Sequence, residues 1–348
     1  MKLILKILII NIYICFNGVY IYAQDPHFTQ FYNSPLTVNP AYTGVFATQG
    51  STTNIRVLTN YRSQWNNSQS PYNTGTIQFD SKLGSQDDGN VIQNPFNLGL
   101  LCMYDQSLNG AFKSSYLMGT GSLNIPVGES GNNGFDGYSK SLGLGFGAVY
   151  GNRRVDLSQI SFSQQFSSGG FDLSMPNGEV GLNNMKPFFS LNAGLLYQSI
   201  SGEGRENEFK IGFSGYHLNK PKQTFYNDPM QIIPMRFAFQ IEYLKRSTTN
   251  YSFLETKLIY QNQASINYLL LSAIYNINIG GNDYENSIGF GANYRLNDAI
   301  SPYFALAISG FRFGCSYDIT TSKLKTGLVP ARSMEVSMQF ILSKSSGD

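Results

Sequence analysis

Charge is scarce in this sequence. Asp, Glu, Lys and Arg together make up 13% of 348 residues, about half the share usual in soluble domains. That excludes the Lys- and Glu-rich surface of an ordinary cytosolic enzyme. The formal balance is +2, with Lys and Arg scattered, so no basic field suited to nucleic acid is present. Long apolar runs are missing except at the very start, which excludes a helical transporter built from several spans of about 20 residues. Cysteine and histidine are rare, at three and two residues. Cys102 and Cys315, far apart in the chain, make neither a disulfide framework nor a metal site. What the chain has instead is 23 Tyr, 25 Phe and 35 Gly, the glycines without any collagen period.

Residues 1–23, MKLILKILIINIYICFNGVYIYA, read as a secretory signal. Lys2 and Lys6 form a positive start, Ile7 to Phe16 an apolar run too short to span, and Ala23 a cleavage site before Gln24. Cys15 lies inside the apolar run without small residues ahead of it, so a lipid anchor is not expected. Residues 24–50 form a Pro-rich leader and 51–348 the main domain.

From residue 51 onward the dominant signal is strict alternation, the mark of strands with two unlike faces. Leu142, Leu144, Phe146, Ala148 and Tyr150 alternate with Gly143, Gly145, Gly147 and Val149. Ile288, Phe290, Ala292 and Tyr294 alternate with Gly289, Gly291 and Asn293. About fourteen such runs occur, each of the length that crosses a bilayer at a tilt. They fall near 53–62, 74–82, 96–105, 114–125, 140–151, 188–199, 208–217, 235–245, 251–261, 266–277, 285–296, 300–309, 311–319 and 333–342.

A secreted sandwich alternates too, but three features favour an all-β transmembrane antiparallel barrel. Tyr and Phe gather at strand ends, as at Tyr104, Tyr150, Tyr197 and Tyr243, like aromatic girdles. The second face is mostly Gly, Ser, Asn and Gln, which suits a weakly charged lumen filled by water or a plug. The connections alternate in length, with longer ones near 63–73, 106–112, 152–187, 218–234 and 320–332 at one end. The other end has the turn at 246–250 and Gly310, although 83–95 and 126–139 are long for that end. Phe340 is followed by ILSKSSGD, so either the last strand runs past it or a tail protrudes.

No catalytic constellation is visible. His217 ends a strand with no acidic neighbour in sequence and His27 lies in the leader, so a nucleophile with an oriented base is not evident. Asp87, Asp88 and Gly89 lack the acidic ladder of a calcium loop. Gly145–Gly147 and Gly289–Gly291 sit inside strands without a following helix and are not nucleotide fingerprints. A non-enzymatic protein with no metal or organic cofactor is expected. Phe162, Phe166, Phe171 and Met175 in the longest connection serve either as anchors for a bound protein or as packing against the barrel mouth.

The leader stands apart. Pro26, Pro35 and Pro40 bar it from being a central strand, yet Phe28, Phe31, Tyr32, Leu36, Val38 and Tyr42 are too apolar for a solvated tail. It packs either as a plug or against another protein. Its residues Gln24, Asp25, Pro26, Phe28, Gln30, Phe31, Asn39, Pro40, Ala41, Tyr42 and Gly44 resemble the N-terminal signature of the PorP/SprF family. So do GYHLNKP at 215–221 (with His217), SYDITTSKL at 316–324 and SMEVSMQF at 333–340. Thr43 stands where the family often has Ala. The resemblance implies an outer-membrane component of the Bacteroidetes type IX secretion and gliding machinery. It further implies that the barrel anchors or assists secreted proteins bearing a cognate C-terminal domain, with periplasmic ring and peptidoglycan-binding components as further partners. Outer-membrane lipid surrounds such a barrel, and no nucleic acid is involved. A passive porin or solute channel is the alternative.

Overall fold

The structure is a computed structural model. It describes residues 25–46, 53–66, 68, 70–83, 85–87, 90–92, 96–127, 139–179, 185–202, 205–224, 230–281, 284–322 and 332–344. The signal-peptide reading of residues 1–23 and the Asp88–Gly89 pair lie outside them.

Fourteen antiparallel strands close into a barrel. In chain order they are β1 (Thr53–Gln64), β2 (Tyr72–Leu83), β3 (Phe96–Ser107), β4 (Phe112–Pro126), β5 (Ser139–Val155), β6 (Phe188–Ser201) and β7 (Asn207–Tyr216). Then follow β8 (Arg236–Arg246), β9 (Phe253–Gln263), β10 (Ile266–Asn278), β11 (Ser287–Arg295), β12 (Ala299–Ile308), β13 (Phe311–Thr320) and β14 (Arg332–Lys344). Each strand pairs with its neighbours in sequence. The seam closes by pairing β1 with β14, from Thr53 opposite Lys344 to Gln64 opposite Ser333. Closure leaves no edge, so each ladder finds its partners without water.

The alternating pattern sorts as the sequence implies. Outward positions are large and apolar: Leu98, Phe146, Phe189 and Phe290 are each more than half exposed. Inward positions are polar and buried, among them Gln78, Gln240, Asn293 and Ser301, with no exposed surface. An apolar outside around a polar inside is stable only in lipid. Cys102 and Cys315 are free thiols on the outward phase.

Strand ends move by a few residues for local reasons. β7 stops at Tyr216 rather than running to 217 because His217 takes a left-handed φ of 56°. β9 begins at Phe253, two residues later than the pattern suggests, because Tyr251 also has positive φ and closes a turn onto the Ser247 carbonyl. β14 runs four residues past Phe340 to Lys344, so the closing strand extends. Pro302 interrupts the ladder: Ser301 and Pro302 have no Cα partners on β13, while Ile300 and Tyr303 do. Two small ribbons are additions, Ser85–Asp87 with Asn90–Ile92 and Phe166–Ser167 with Gly170–Phe171.

The strand ends Gln64, Tyr72, Ser107, Phe112, Val155, Phe188, Tyr216, Arg236, Gln263, Ile266, Arg295, Ala299, Thr320 and Arg332 lie at one mouth, called the loop mouth below. The opposite strand ends lie at the other, the turn mouth. The asymmetry is carried by 156–187 and 217–235, since two tight turns also sit at the loop mouth.

Candidate functional site: a plugged lumen between two mouths

The leader fills the lumen. Prolines keep it from becoming a strand, and three 3-10 turns result, Phe31–Asn33, Pro35–Thr37 and Pro40–Tyr42. Pro35 and Pro40 take the first turn position, where their missing N–H is not needed, and the Asn39 side chain caps the third turn by accepting the Ala41 N–H at 2.9 Å. The segment runs from the loop mouth to the turn mouth. Near its start, the Asp25 N–H donates to the Gln263 side chain at 2.9 Å. Midway, Leu36 N–H donates to Gln78 and the Tyr216 hydroxyl donates to the Leu36 carbonyl. At the far end the Gly44 N–H donates to Asp80 at 2.8 Å, and Arg56 reaches the carbonyls of Tyr42 and Val45.

The wall is shaped to receive it. A Cβ at Gly145 would collide with the backbone of Pro40 and Ala41, and one at Gly194 with the Asn39 amide. At Gly212 a Cβ would lie 2.6 Å from Gln240 Oε1 and 3.0 Å from Asn39 Nδ2. Gly145, Gly194 and Gly212 therefore make room for Asn39–Ala41.

The lumen is not weakly charged. All seven carboxylates of the barrel strands (Asp80, Asp105, Glu208, Glu242, Glu255, Asp318 and Glu335) turn inward, as the burial phase and bonding show. Asp318 and Glu255 reach cations two or more strands away, while Asp80, Glu208, Glu242 and Glu335 meet cations on the same or the neighbouring strand. Near the loop mouth, Arg62 and Arg295 both hold Asp318, at 2.8 and 2.7 Å, and Arg62 lies 3.2 Å from Glu335. Thr29 of the leader accepts from both guanidinium groups. Charges removed from water survive only when paired and fully hydrogen-bonded, and here the leader supplies part of that bonding.

His217 bridges wall and leader. Its Nδ1 lies 2.8 Å from Ser190 Oγ and its Nε2 lies 2.9 Å from Asp25 Oδ2. Arg236 adds a contact to the same carboxylate at 3.4 Å. Burial pushes the Asp25 carboxyl up, but the charges of His217 and Arg236 more than reverse this and hold it well below the ordinary carboxylate range. The order Ser–His–Asp resembles a proton relay. Ser190 has no exposed surface, however, and His217 only 5%, so a substrate has no route to the hydroxyl. The arrangement acts as a clasp on the start of the leader.

Asp25, Phe28, Gln30, Phe31, Asn39, Pro40 and Tyr42 are all buried in the lumen, with Pro26 half-buried. They face the chain's own strands, and His217 joins them. Of the two readings of the leader, this geometry is that of a plug. The loop aromatics form a separate group. Phe166 and Phe171 pack edge to face with ring centroids 5.0 Å apart and remain 63% and 57% exposed. Leu173 and Met175 beside them are exposed, and Phe162 is half-buried. Buried Gln165 fixes the loop by donating to the Met175 carbonyl at 2.8 Å and accepting the Phe162 N–H at 3.0 Å. Phe166, Phe171 and Met175 thus form an exposed patch rather than folding onto the mouth. Sequence reasoning missed Arg62, Arg295, Asp318 and Glu335; their inward phase within alternating strands was the available signal.

At the turn mouth the lumen opens below Gly44 and Phe46 into a cavity of about 820 Å³. Lys82, Arg205, Arg246 and Arg312 line it together with Glu208.

The profile of the type IX secretion system membrane protein PorP/SprF family matches residues 21–340, leader and barrel together. The chain belongs to this family. No curated protein matches it by sequence. Among solved structures, the toluene transporter TbuX of Ralstonia pickettii is similar at 8% identity and TM-score 0.44, covering 90% of this chain and 94% of that one. The Pseudomonas putida toluene transporter TodX is 8% identical with TM-score 0.42, over 89% of this chain and 92% of that one. Omp33 of Acinetobacter baumannii is 9% identical with TM-score 0.41, over 84% of this chain and all of that one. As a PorP/SprF chain, the protein is a membrane component of type IX secretion.

Proposed function

We propose that this is a plugged, non-enzymatic outer-membrane barrel that holds a secreted protein through that protein's C-terminal domain. The observation that carries the reading is the division of labour between the two aromatic groups. The leader aromatics are spent inside the lumen, while Phe166, Phe171, Leu173 and Met175 stand exposed at the loop mouth on a loop fixed by Gln165. Aromatic and Met side chains on a rigid support are the usual anchors of a protein interface. The loop mouth faces the cell exterior in this reading, and the turn mouth faces periplasmic ring and peptidoglycan-binding partners. The sealed Ser190–His217–Asp25 clasp supports a non-enzymatic role.

Deletion of 158–177 with the barrel still inserted is the test. Surface retention of the secreted protein is expected to be lost, and unchanged retention overturns the proposal. The cavity at the turn mouth favours a second reading, a solute channel gated by the leader. Large steady conductance from the purified wild-type protein would favour that reading over the anchor.

A further inference from the structure

Among the described residues of the fourteen barrel strands, the outer wall carries charge of one sign only. The carboxylates there turn inward, and the outward charges are cations at strand ends, among them Lys113, Arg154 and Lys245. Lys245 stands across from Asn207 and Leu254. Lys113 and Arg154, by contrast, are direct ladder partners on β4 and β5, and both are exposed. Like charges placed opposite one another on a sheet face destabilise it, so this pair is relieved when an anion lies between them. Asp156 interacts electrostatically with Lys113, but its oxygens are held by the Ser158 N–H and hydroxyl at 3.1 and 2.6 Å and by Gln159 Nε2 at 2.6 Å.

A third donor completes the row. Gln106 on β3 is the ladder partner of Lys113 on the other side. The Tyr104 hydroxyl donates to Gln106 Oε1 at 3.4 Å, and among the described residues no bond engages the amide NH2. With strands about 4.8 Å apart, the three groups span about 10 Å along the rim. Exposed Tyr104 and Tyr150 lie on the membrane side of the row, at the height where aromatic belts meet lipid headgroups. Beneath them the wall is apolar, with Leu100, Leu117 and Phe146 exposed. A cationic, amide-bearing rim above an apolar wall fits a phosphate carried on acyl chains.

We propose that Gln106, Lys113 and Arg154 dock the phosphate of an outer-leaflet phosphorylated glycolipid of the lipid A class. The choice of leaflet rests on the outward-facing loop mouth proposed above. The test uses the whole protein in phosphatidylcholine nanodiscs, offered bis-phosphorylated lipid A, dephosphorylated lipid A or phosphatidylglycerol, with bound lipid counted by native mass spectrometry. Wild type is expected to retain bis-phosphorylated lipid A. The double variant Lys113→Gln/Arg154→Gln is expected to retain about tenfold less, and Lys245→Gln as much as wild type. Both replaced side chains are exposed, and heat-modifiable migration on gels verifies the folded barrel. Equal retention by the double variant, or equal binding of dephosphorylated lipid A, overturns the site. Equal retention of phosphatidylglycerol by wild type overturns the glycolipid assignment. Labelling of a Ser168→Cys variant on intact cells by a membrane-impermeant maleimide reports the orientation separately. No labelling there would fell the outward-facing reading while leaving the phosphate row to its own result.

Discussion

Glu335, on the strand that closes the barrel, accepts the backbone N–H of Gln30 at 2.8 Å through Oε1. Its other oxygen accepts the Thr29 N–H at 2.7 Å, so one buried carboxylate satisfies two donors of the leader. Arg62 and the Asn60 amide bond the same group. Replacing Glu335 with Ala leaves those donors and part of the Arg62 charge unanswered in a buried site. The expected cost is about 3 kcal/mol, read as a lower thermal unfolding midpoint and as faster proteolysis between residues 25 and 46.

Gly145 and Gly194 provide a test of the plug from the wall side. Gly145→Val and Gly194→Val each place side-chain atoms where Pro40, Ala41 or Asn39 now lie. Because overpacking a closed interior costs about 1–3 kcal/mol or more, displacement of the leader is the expected outcome. Single-channel recording should then show steps from the variants that the wild-type protein lacks. A Cβ at Gly119 would meet nothing within 4 Å, and Gly119→Ala should behave as wild type.

The clasp predicts a pH dependence. Asp25 is held well below its ordinary value of 3.8, with His217, Arg236 and Arg153 as the charges that face it. A carboxylate lowered on folding contributes stability that is present above its unfolded value and is lost as pH falls toward the folded one. Protection of the leader against hydrogen exchange should hold from about pH 7 to 5 and decline below about pH 4. Asp25→Asn should weaken protection at neutral pH and flatten that decline.

The exposed ring pair at the loop mouth separates binding from folding. Phe166→Ser with Phe171→Ser removes two half-exposed side chains, so barrel stability should change by no more than about 0.5 kcal/mol. Loss of the secreted partner should be much larger, about 2 kcal/mol or more if these rings are its central anchors. Titrating the partner's C-terminal domain against both proteins measures the difference.

Much of this was legible from residue order. A period of two over fourteen segments fixes strand number and facing, and each observed strand overlaps its expected segment. Three prolines among apolar residues marked the leader as packed but not a strand. What packs against it was not legible, because Thr29 and Glu335 are 306 positions apart and no local pattern links them. Inward charges were hidden for a related reason: Arg62 and Asp318 neutralise each other only once β1 and β13 share a lumen. The left-handed turn at His217 was invisible because a non-glycine residue gives no sign of positive φ.

The leader precedes every strand in the chain, and the strand that seals the seam comes last. It also crosses the whole interior, from Asp25 at one mouth to Gly44 at the other. A finished cylinder would offer it no way in, since Arg62, Glu335, Gln78 and Gln240 of the wall already crowd the passage. The wall must instead wrap around a mandrel, and the pairing of Thr53–Gln64 with Ser333–Lys344 is the buckle fastened over it. Assembly order is thereby written into chain order.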